Sequence, residues 1–503
     1  MRKITANIKR DTKTLNRFFS DCVGAGRAGE LLRKTAVDQM KEVSRSCGFR
    51  YLRFHGLFSD DMGVYQKDEN GIPIYNWQYV DQVYDAILDN GMKPFVELSF
   101  TPFAMASTEK VLFWWRANVS VPASMEEWYE LVYRFTKHMT QRYGMDEVKT
   151  WRFEVWNEPN HPAFFSGGLS NYLALYDTSV RAVKDVSEAY VVGGPATAGC
   201  EWIKELLDHC QEKQIPIDFV TTHTYGVRGD FDEDGKKKLY LIQEKDYIVD
   251  TVKKVKKQVE ESNYPHLPIY FTEWSASYSS RDAIHDSYIE ASYLLYCLRR
   301  LDGVADAMSY WTFTDVFEET GIALEPFHGG FGLMNLQSYK KPSYHAYWML
   351  NQLGEKEIGS EDGDCYICKN MDDDIQVLWW DYELPKQDTD NARYFKGDLV
   401  PEQAEDVEIS LEGIVPGHYQ ISLYQTGYGV HDVYTEYLHG ATEVLSRKEE
   451  DILREKSKES PVSVWEQIIG SDGTFSKKFS MRRYDCFLLK VKRIGGYDSE
   501  EKR

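Results

Sequence analysis

Over the first two-thirds of the chain, apolar positions come in short runs. Between them lie longer stretches where apolar residues recur every three or four positions. The runs are RFFSDCVG (17–24), GFRYLRFHG (48–56), MKPFVELSF (92–100), WRFEVWNEP (151–159), YVVGGP (190–195), FVTTHTY (219–225), PIYFTEW (268–274) and MSYWTF (308–313). Each is apolar on both faces, as a strand covered by helices must be. The intervening stretches read as helices. In VDQVYDAILDNG (80–91), Val80, Val83, Tyr84, Ile87 and Leu88 share one face, and Gly91 suits the left-handed turn that ends a helix. EEWYELVYRFTKHMTQRYG (126–144) follows the same pattern. Eight strand–helix units over roughly 330 residues predict a (β/α)8 TIM barrel with long loops, against about 250 residues for a compact one. VGAGRAG (23–29) is glycine-rich but lacks the spacing and distal acid of a dinucleotide-binding turn, and is expected to be a loop at the barrel top.

The pattern changes after residue 352. CYICKNMDDDIQVLWWDYEL, VEISLEGIVPGHYQISLYQTG and FSKKFSMRRYDCFLLKVKR alternate apolar and polar positions, with Gly, Pro and Asp at the turns. This predicts an accessory β-sandwich. The expected division is residues 1–14 as a segment joining the sandwich, 15–352 as the barrel and 353–503 as the sandwich. The last part carries a charged helical insert at 441–459 and a tail.

Charge and composition narrow the partners. The net charge of −21 opposes binding to nucleic acid or an anionic membrane. Thirteen Trp and 34 Tyr suit large aromatic cores, and also sugars, whose C–H faces stack on rings. The start, MRKITANIKRDTK, has charge but no apolar core of a secretory signal, so a cytoplasmic protein with reduced thiols is expected. Cys365 and Cys368 form a lone CxxC with no completing pair for zinc. DFDEDG (230–235) opens like a calcium loop, but its twelfth position is Leu241 rather than Glu, so it reads as a solvated acidic turn.

In a TIM barrel, chemistry gathers at the C-terminal strand ends. Those ends carry Arg53 and His55, Glu97, Asn157 and Glu158, His223 and Tyr225, Glu273 and Trp274, then Trp311 with Asp315, Glu318 and Glu319 beyond. Strict alternation sends Asn157 and Glu158 to opposite faces. Both reach one pocket only if the strand ends there and the chain turns. Pro159 ends the ladder and is expected to hold Glu158 extended. Glycoside hydrolysis needs a protonated and an ionised carboxyl group flanking the bond, and Glu158 with Glu273 fits. Trp156 and Trp274 are expected to dry the site and raise a neighbouring carboxyl pKa.

The ordered set CVGAGRAGELLR (22–33), GFRYLRFHGLFSDDMGVY (48–65), NWQYVDQVYDAILDNGMKPFVELSFTP (76–102), FEVWNEPN (153–160), VGGPA (192–196), DFVTTHTY (218–225), FTEWSASY (271–278) and SYWTFTDVFEETG (309–321) resembles family 39 of the glycoside hydrolases, in its bacterial β-xylosidase branch. The resemblance is close over 22–321 and looser in the sandwich. It implies a retaining, exo-acting enzyme that releases β-D-xylose from xylooligosaccharides, with Glu158 as acid/base and Glu273 as nucleophile. It implies Asn157 on the sugar 2-OH, and His55, His223, Tyr225, Trp311 and Glu318 around the sugar, with Glu319 as the alternative to Glu318. No metal or organic cofactor is expected, since two carboxyl groups suffice. A homo-oligomer is implied, with a tetramer expected. The loop HPAFFSGG (161–168) departs from the pattern where relatives carry a Trp and acidic residues, which leaves the leaving-group preference open.

The same family contains α-L-iduronidases, which need cations for the substrate carboxylate. Arg53 is the strand-tip candidate here. β-Glucosidase and arabinosidase specificities differ from xylosidase only in pocket shape. A non-catalytic carbohydrate-binding protein would keep the aromatics and lose a carboxylate.

Overall fold

A computed structural model describes residues 1–231, 233–440 and 445–496. The first part of the 441–459 insert, the C-terminal tail and Asp232 of the acidic turn therefore lie outside the described residues. Eight parallel strands close a barrel in sequence order: β1 (Cys22–Arg27), β2 (Tyr51–His55), β3 (Lys93–Leu98), β4 (Arg152–Val155), β5 (Val191–Thr197), β6 (Phe219–Tyr225), β7 (Ile269–Ser275) and β8 (Ala307–Tyr310). These are the eight apolar runs, with ends shifted by a few residues. The glycine-rich VGAGR, expected as loop, is most of β1. Gly24 is needed there because a Cβ would stand 2.2 Å from the Trp311 ring.

The helices bury the faces their periodicity marks. The helix Gln78–Asp89 buries Val80, Val83, Tyr84 and Ile87, and ends where Gly91 takes a φ of +75°. The helix Met125–Tyr143 starts at Ser124, whose hydroxyl accepts the Glu127 N–H and satisfies one of the unpaired first-turn donors. No helix among the described residues is long and apolar enough to cross a membrane.

Beyond the barrel, two sheets face each other across an apolar core that includes Ile4, Val377, Trp379, Ile409, Ile421 and Leu489. Arg2–Asn7 pairs parallel with Val407–Glu412 in the three-stranded sheet, and Thr12–Thr14 pairs with Lys356–Ile358 in the seven-stranded one. The charged helix Arg447–Lys456 lies against its own chain. Just past it, Glu459 accepts from Lys340 Nζ at 2.6 Å and Tyr344 Oη at 2.5 Å, beside and within the barrel's last helix.

Within the barrel, the N-terminal end of the axis is closed by a cluster that includes Tyr51, Phe95, Phe219 and Tyr270. Arg152 spans this layer, its guanidinium 4.0 Å and 4.1 Å from the centres of the Tyr51 and Tyr270 rings and paired with Asp21. This plug makes the opposite end the open one.

Candidate active site

The C-terminal strand ends surround a cavity of 560 Å3, lined among others by His55, Asn157, Glu158, Tyr225, Glu273 and Trp311. Asn157 and Glu158 both reach it because the chain leaves β4 through left-handed conformations at Trp156 (φ +70°) and Glu158 (φ +43°). The extended Glu158 expected ahead of proline is therefore replaced by a tighter turn. The Glu158 N–H donates to the Ala196 carbonyl at 2.8 Å, and the Asn160 side chain makes two 2.9 Å bonds to Ala198. The loop after β4 is thus tied to the end of β5.

On β7, Thr272 and Glu273 are consecutive, yet both side chains engage groups inside the barrel. The register explains this. Thr222 of β6 pairs with Phe271 and His223 with Glu273, so Thr272 is an extra residue in a bulge. A bulge re-aims side chains that strict alternation would separate.

Beneath the cavity lies Arg53, fully buried, with all three of its nitrogens engaged. Nε meets Glu154 Oε2 at 2.6 Å, Nη1 meets Glu273 Oε1 at 2.8 Å, and Nη2 meets Asn157 Oδ1 and Glu97 Oε2, both at 2.9 Å. Burial works against its charge, but Glu154, Glu97 and Glu273 together raise its pKa above the ordinary guanidinium value. A buried cation ringed by acceptors is a fixed part of the site, not a free hand for substrate. Because Arg53 can only donate, the Asn157 oxygen must face it, which leaves the amide nitrogen for the cavity.

Glu273 is held on both oxygens. Arg53 donates to Oε1, and the Tyr225 hydroxyl donates to Oε2 at 2.6 Å. Burial and the Glu273 charge push the Tyr225 phenol well above its usual pKa, so it remains a donor. Both Glu273 oxygens therefore act as hydrogen-bond acceptors. His55 Nε2 lies 3.5 Å from the same carboxylate, and its Nδ1 is 2.7 Å from Glu97. Burial alone would raise Glu97, but His55 and Arg53 bring it below the usual range, so it stays an anion that orients both.

Glu158 is in the opposite condition. Burial, then the Glu273 charge, raise its carboxyl well above the carboxylate range. Its Oε1 is 3.0 Å from His223 Nδ1. Burial, Arg53 and His55 keep His223 well below its ordinary pKa, so the ring is neutral and carries one proton. The hydrogen-bond chain says which nitrogen holds it. Thr272 gives its single hydroxyl proton to Glu154 at 2.9 Å and must accept from His223 Nε2 at 3.2 Å. That leaves Nδ1 as a lone pair, so the proton between Nδ1 and Glu158 belongs to Glu158. Two carboxyl groups in opposite protonation states thus face one cavity. Glu158, His223 and Glu273 each present one ligand atom within 4.8 Å of the others. A metal would meet that spacing, but the Arg53 guanidinium on Glu273 opposes a cation there.

The remaining expectations divide. Trp311 forms a wall of the cavity, its ring 4.7 Å from that of His55, and the peptide after it is cis. Glu319, not Glu318, lines the cavity. Glu318 is drawn away by ion pairs to Arg27 and Arg33, and its N–H donates to Glu30. Burial and Glu273 raise the Glu319 carboxyl well above the usual range. Trp156 and Trp274 do not line the cavity, because each follows the opposite face to its catalytic-site neighbour. Trp156 packs against Phe100, Trp128 and Phe165 in the barrel's outer layer. Phe164, Tyr225, Trp311 and Phe331 supply the apolar walls instead. Glu154 and Thr272 were missed. An acid inside an otherwise apolar strand, and an arginine two strands away, were the available signal for Glu154. Nothing in the periodicity marks the bulge that turns Thr272 inward.

A family model described as glycosyl hydrolases family 39 matches residues 2–435. A β-xylosidase of Caldicellulosiruptor saccharolyticus is 39% identical over 420 residues, covering 82% of each chain. One from Geobacillus stearothermophilus is 38% identical over 376 residues, 73% of this chain and 74% of the other. A crystal structure of a monomeric β-xylosidase from Caulobacter crescentus superposes with a TM-score of 0.95 at 37% identity, over 98% of this chain and all of that one.

Proposed function

The chain belongs to family 39 of the glycosyl hydrolases, and on that premise we propose that it is a retaining, exo-acting β-xylosidase in which Glu273 is the nucleophile and Glu158 the acid/base. The observation that carries the residue roles is the fixed difference between the two carboxyl groups. Glu273 is bonded by Arg53 and Tyr225 as an anion, and Glu158 is held as an acid by the His223 lone pair.

The reaction follows from that difference. Glu273 attacks the anomeric carbon while Glu158 gives its proton to the leaving oxygen, so the glycosidic bond breaks and a xylosyl ester forms. The ionised Glu158 then faces the His223 lone pair, which makes it a stronger base. It takes a proton from water, whose oxygen attacks the anomeric carbon and frees Glu273. Two inversions retain configuration. The close approach of the two carboxylates supports this route, since an inverting pair stands about 6.5–9.5 Å apart to admit water. The Asn157 amide is set to donate to the sugar 2-OH, and Trp311 with His55 bounds the ring. A uronide is disfavoured at this end, because Arg53 is fully buried and each of its nitrogens already meets a carboxylate of the protein. A cytoplasmic setting is supported by eight unpaired cysteines, seven of them buried.

The test is hydrolysis of p-nitrophenyl β-D-xyloside followed by proton NMR of the first-formed sugar, beside the β-glucoside and α-L-arabinoside. β-Xylose as first product, with the xyloside preferred, is expected. α-Xylose would overturn the retaining mechanism, and preference for another glycoside would overturn the sugar.

A further inference from the structure

The long hairpin after β6 has features that the reaction above does not use. Its strands, Val227–Phe231 and Lys237–Leu241, pair antiparallel with Phe231 directly opposite Lys237. Directly opposed residues share a face, so the Phe231 and Lys237 side chains leave the hairpin on the same side. Three lysines run together at 236–238, and alternation sends neighbours to different faces. Lys238 turns toward Asp390, 3.9 Å away. Lys237 turns to the cavity and lines it together with Val227 of its own face. Its Nζ lies 4.9 Å from the centre of the Tyr278 ring, and no carboxylate among the described residues pairs with it. Gly229 makes room for this seat: a Cβ there would stand 2.9 Å from Lys237 Cε and 3.0 Å from Tyr278 Oη. Phe231 is left 70% exposed.

The hairpin shares its end of the cavity with His161 and Phe164 of the loop after β4 and with Gly199 of the loop after β5. Burial and then the Lys237 charge lower the His161 pKa, which marks the ammonium as a neighbour of that loop. Glu158 delivers its proton from this side, so this is where the departing group lies. His55, Trp311 and Glu319 bound the other end. The cation also stands out against a chain of net charge −21.

We propose that Phe231, Lys237 and Tyr278 form a leaving-group subsite for a saccharide that bears a carboxylate. The sugar ring stacks on the exposed phenyl face and the carboxylate pairs with the ammonium, cation and aromatic acting as one recognition surface. This rests on the glycosidase reading and adds the leaving group to it.

The probes are 4-carboxyphenyl β-D-xyloside and its neutral methyl ester. Within each protein, the ratio of kcat/KM for the acid to that for the ester removes differences in intrinsic reactivity. Lys237→Gln is expected to lower that ratio about fivefold relative to wild type, and Lys237→Arg to keep it. Added salt is expected to shrink the wild-type advantage. An unchanged ratio in Lys237→Gln, with wild type active on the ester, overturns the subsite and leaves the glycosidase standing. If wild type cleaves neither xyloside, the xylosidase reading fails. The subsite is then decided by calorimetric titration of the carboxylated xyloside into Glu273→Gln, with and without Lys237→Gln. A fivefold weaker affinity supports it and equal affinity overturns it.

Discussion

At the closed end of the barrel the axis holds Tyr51, Phe95, Phe219 and Tyr270. Two residues further along the same four strands it holds Arg53, Glu97, Thr221 and Thr272. β4 makes the same step, from Arg152 among the aromatic rings to Glu154 beneath the cavity. Both layers are buried, and both are filled to the axis. The lower one is held by ring packing, whose loss is felt as stability. The upper one is held by hydrogen bonds to ionised groups, each of which needs its partners to be tolerable away from water. The arrangement at the top is therefore costly as structure, and its return is two carboxyl groups held in different protonation states.

Breaking that comparison from the top gives the largest effects on activity. Glu273→Gly is expected to lower kcat by on the order of 10⁴-fold or more, since the bond-forming group is gone. Glu158→Ala is expected to lose about 10²–10⁴-fold in kcat on substrates whose leaving oxygen needs a proton. With p-nitrophenyl β-D-xyloside, added azide is expected to restore turnover to this variant and to give β-xylosyl azide. Failure of azide to restore any turnover would contradict the acid/base role.

Thr272→Val sharpens the comparison within the upper layer. It keeps the shape and removes the hydroxyl that fixes the His223 proton on Nε2. The proton is then free to sit on Nδ1, where it favours ionised Glu158. The acid's pKa falls, so the alkaline limb of the kcat/KM profile is expected to move to lower pH. A limb that stays in place would show that Thr272 does not set this proton.

From the bottom, Phe95→Ala is expected to cost about 3–5 kcal/mol of stability, read by denaturant unfolding, with kcat unchanged in the molecules that fold. Here the effect on activity is the smallest, which is the point of the contrast. A large fall in kcat would mean that the two layers are not separable.

Much of this was legible along the chain. The eight strands appear as runs apolar on both faces, and the resemblance to family 39 rests on motifs that the fold brings to one end of the barrel. Glu158 and Glu273 stand out as carboxylates at strand tips. What escaped has specific physical causes. A bulge shifts alternation by one residue without any change in composition, so Thr272 looks like an ordinary strand threonine. Glu318 and Glu319 are adjacent acids, and distant arginines, Arg27 and Arg33, decide which one turns away. Trp156 and Trp274 stand next to cavity residues in sequence, yet alternation beside Asn157 and Glu273 turns them to the other face. The positive φ at Glu158 is a property of how the loop is tied to β5, which the NEP tripeptide alone does not carry.

The central claim is that Glu273 is the carboxylate that attacks. A 2-deoxy-2-fluoro-xyloside with a good leaving group slows release of the xylosyl ester, and mass spectrometry of the digested protein locates it. The account predicts one equivalent of label on the peptide containing Glu273 and none in Glu273→Gly. Label on the peptide containing Glu158, or stoichiometric turnover with no covalent species at all, would contradict it.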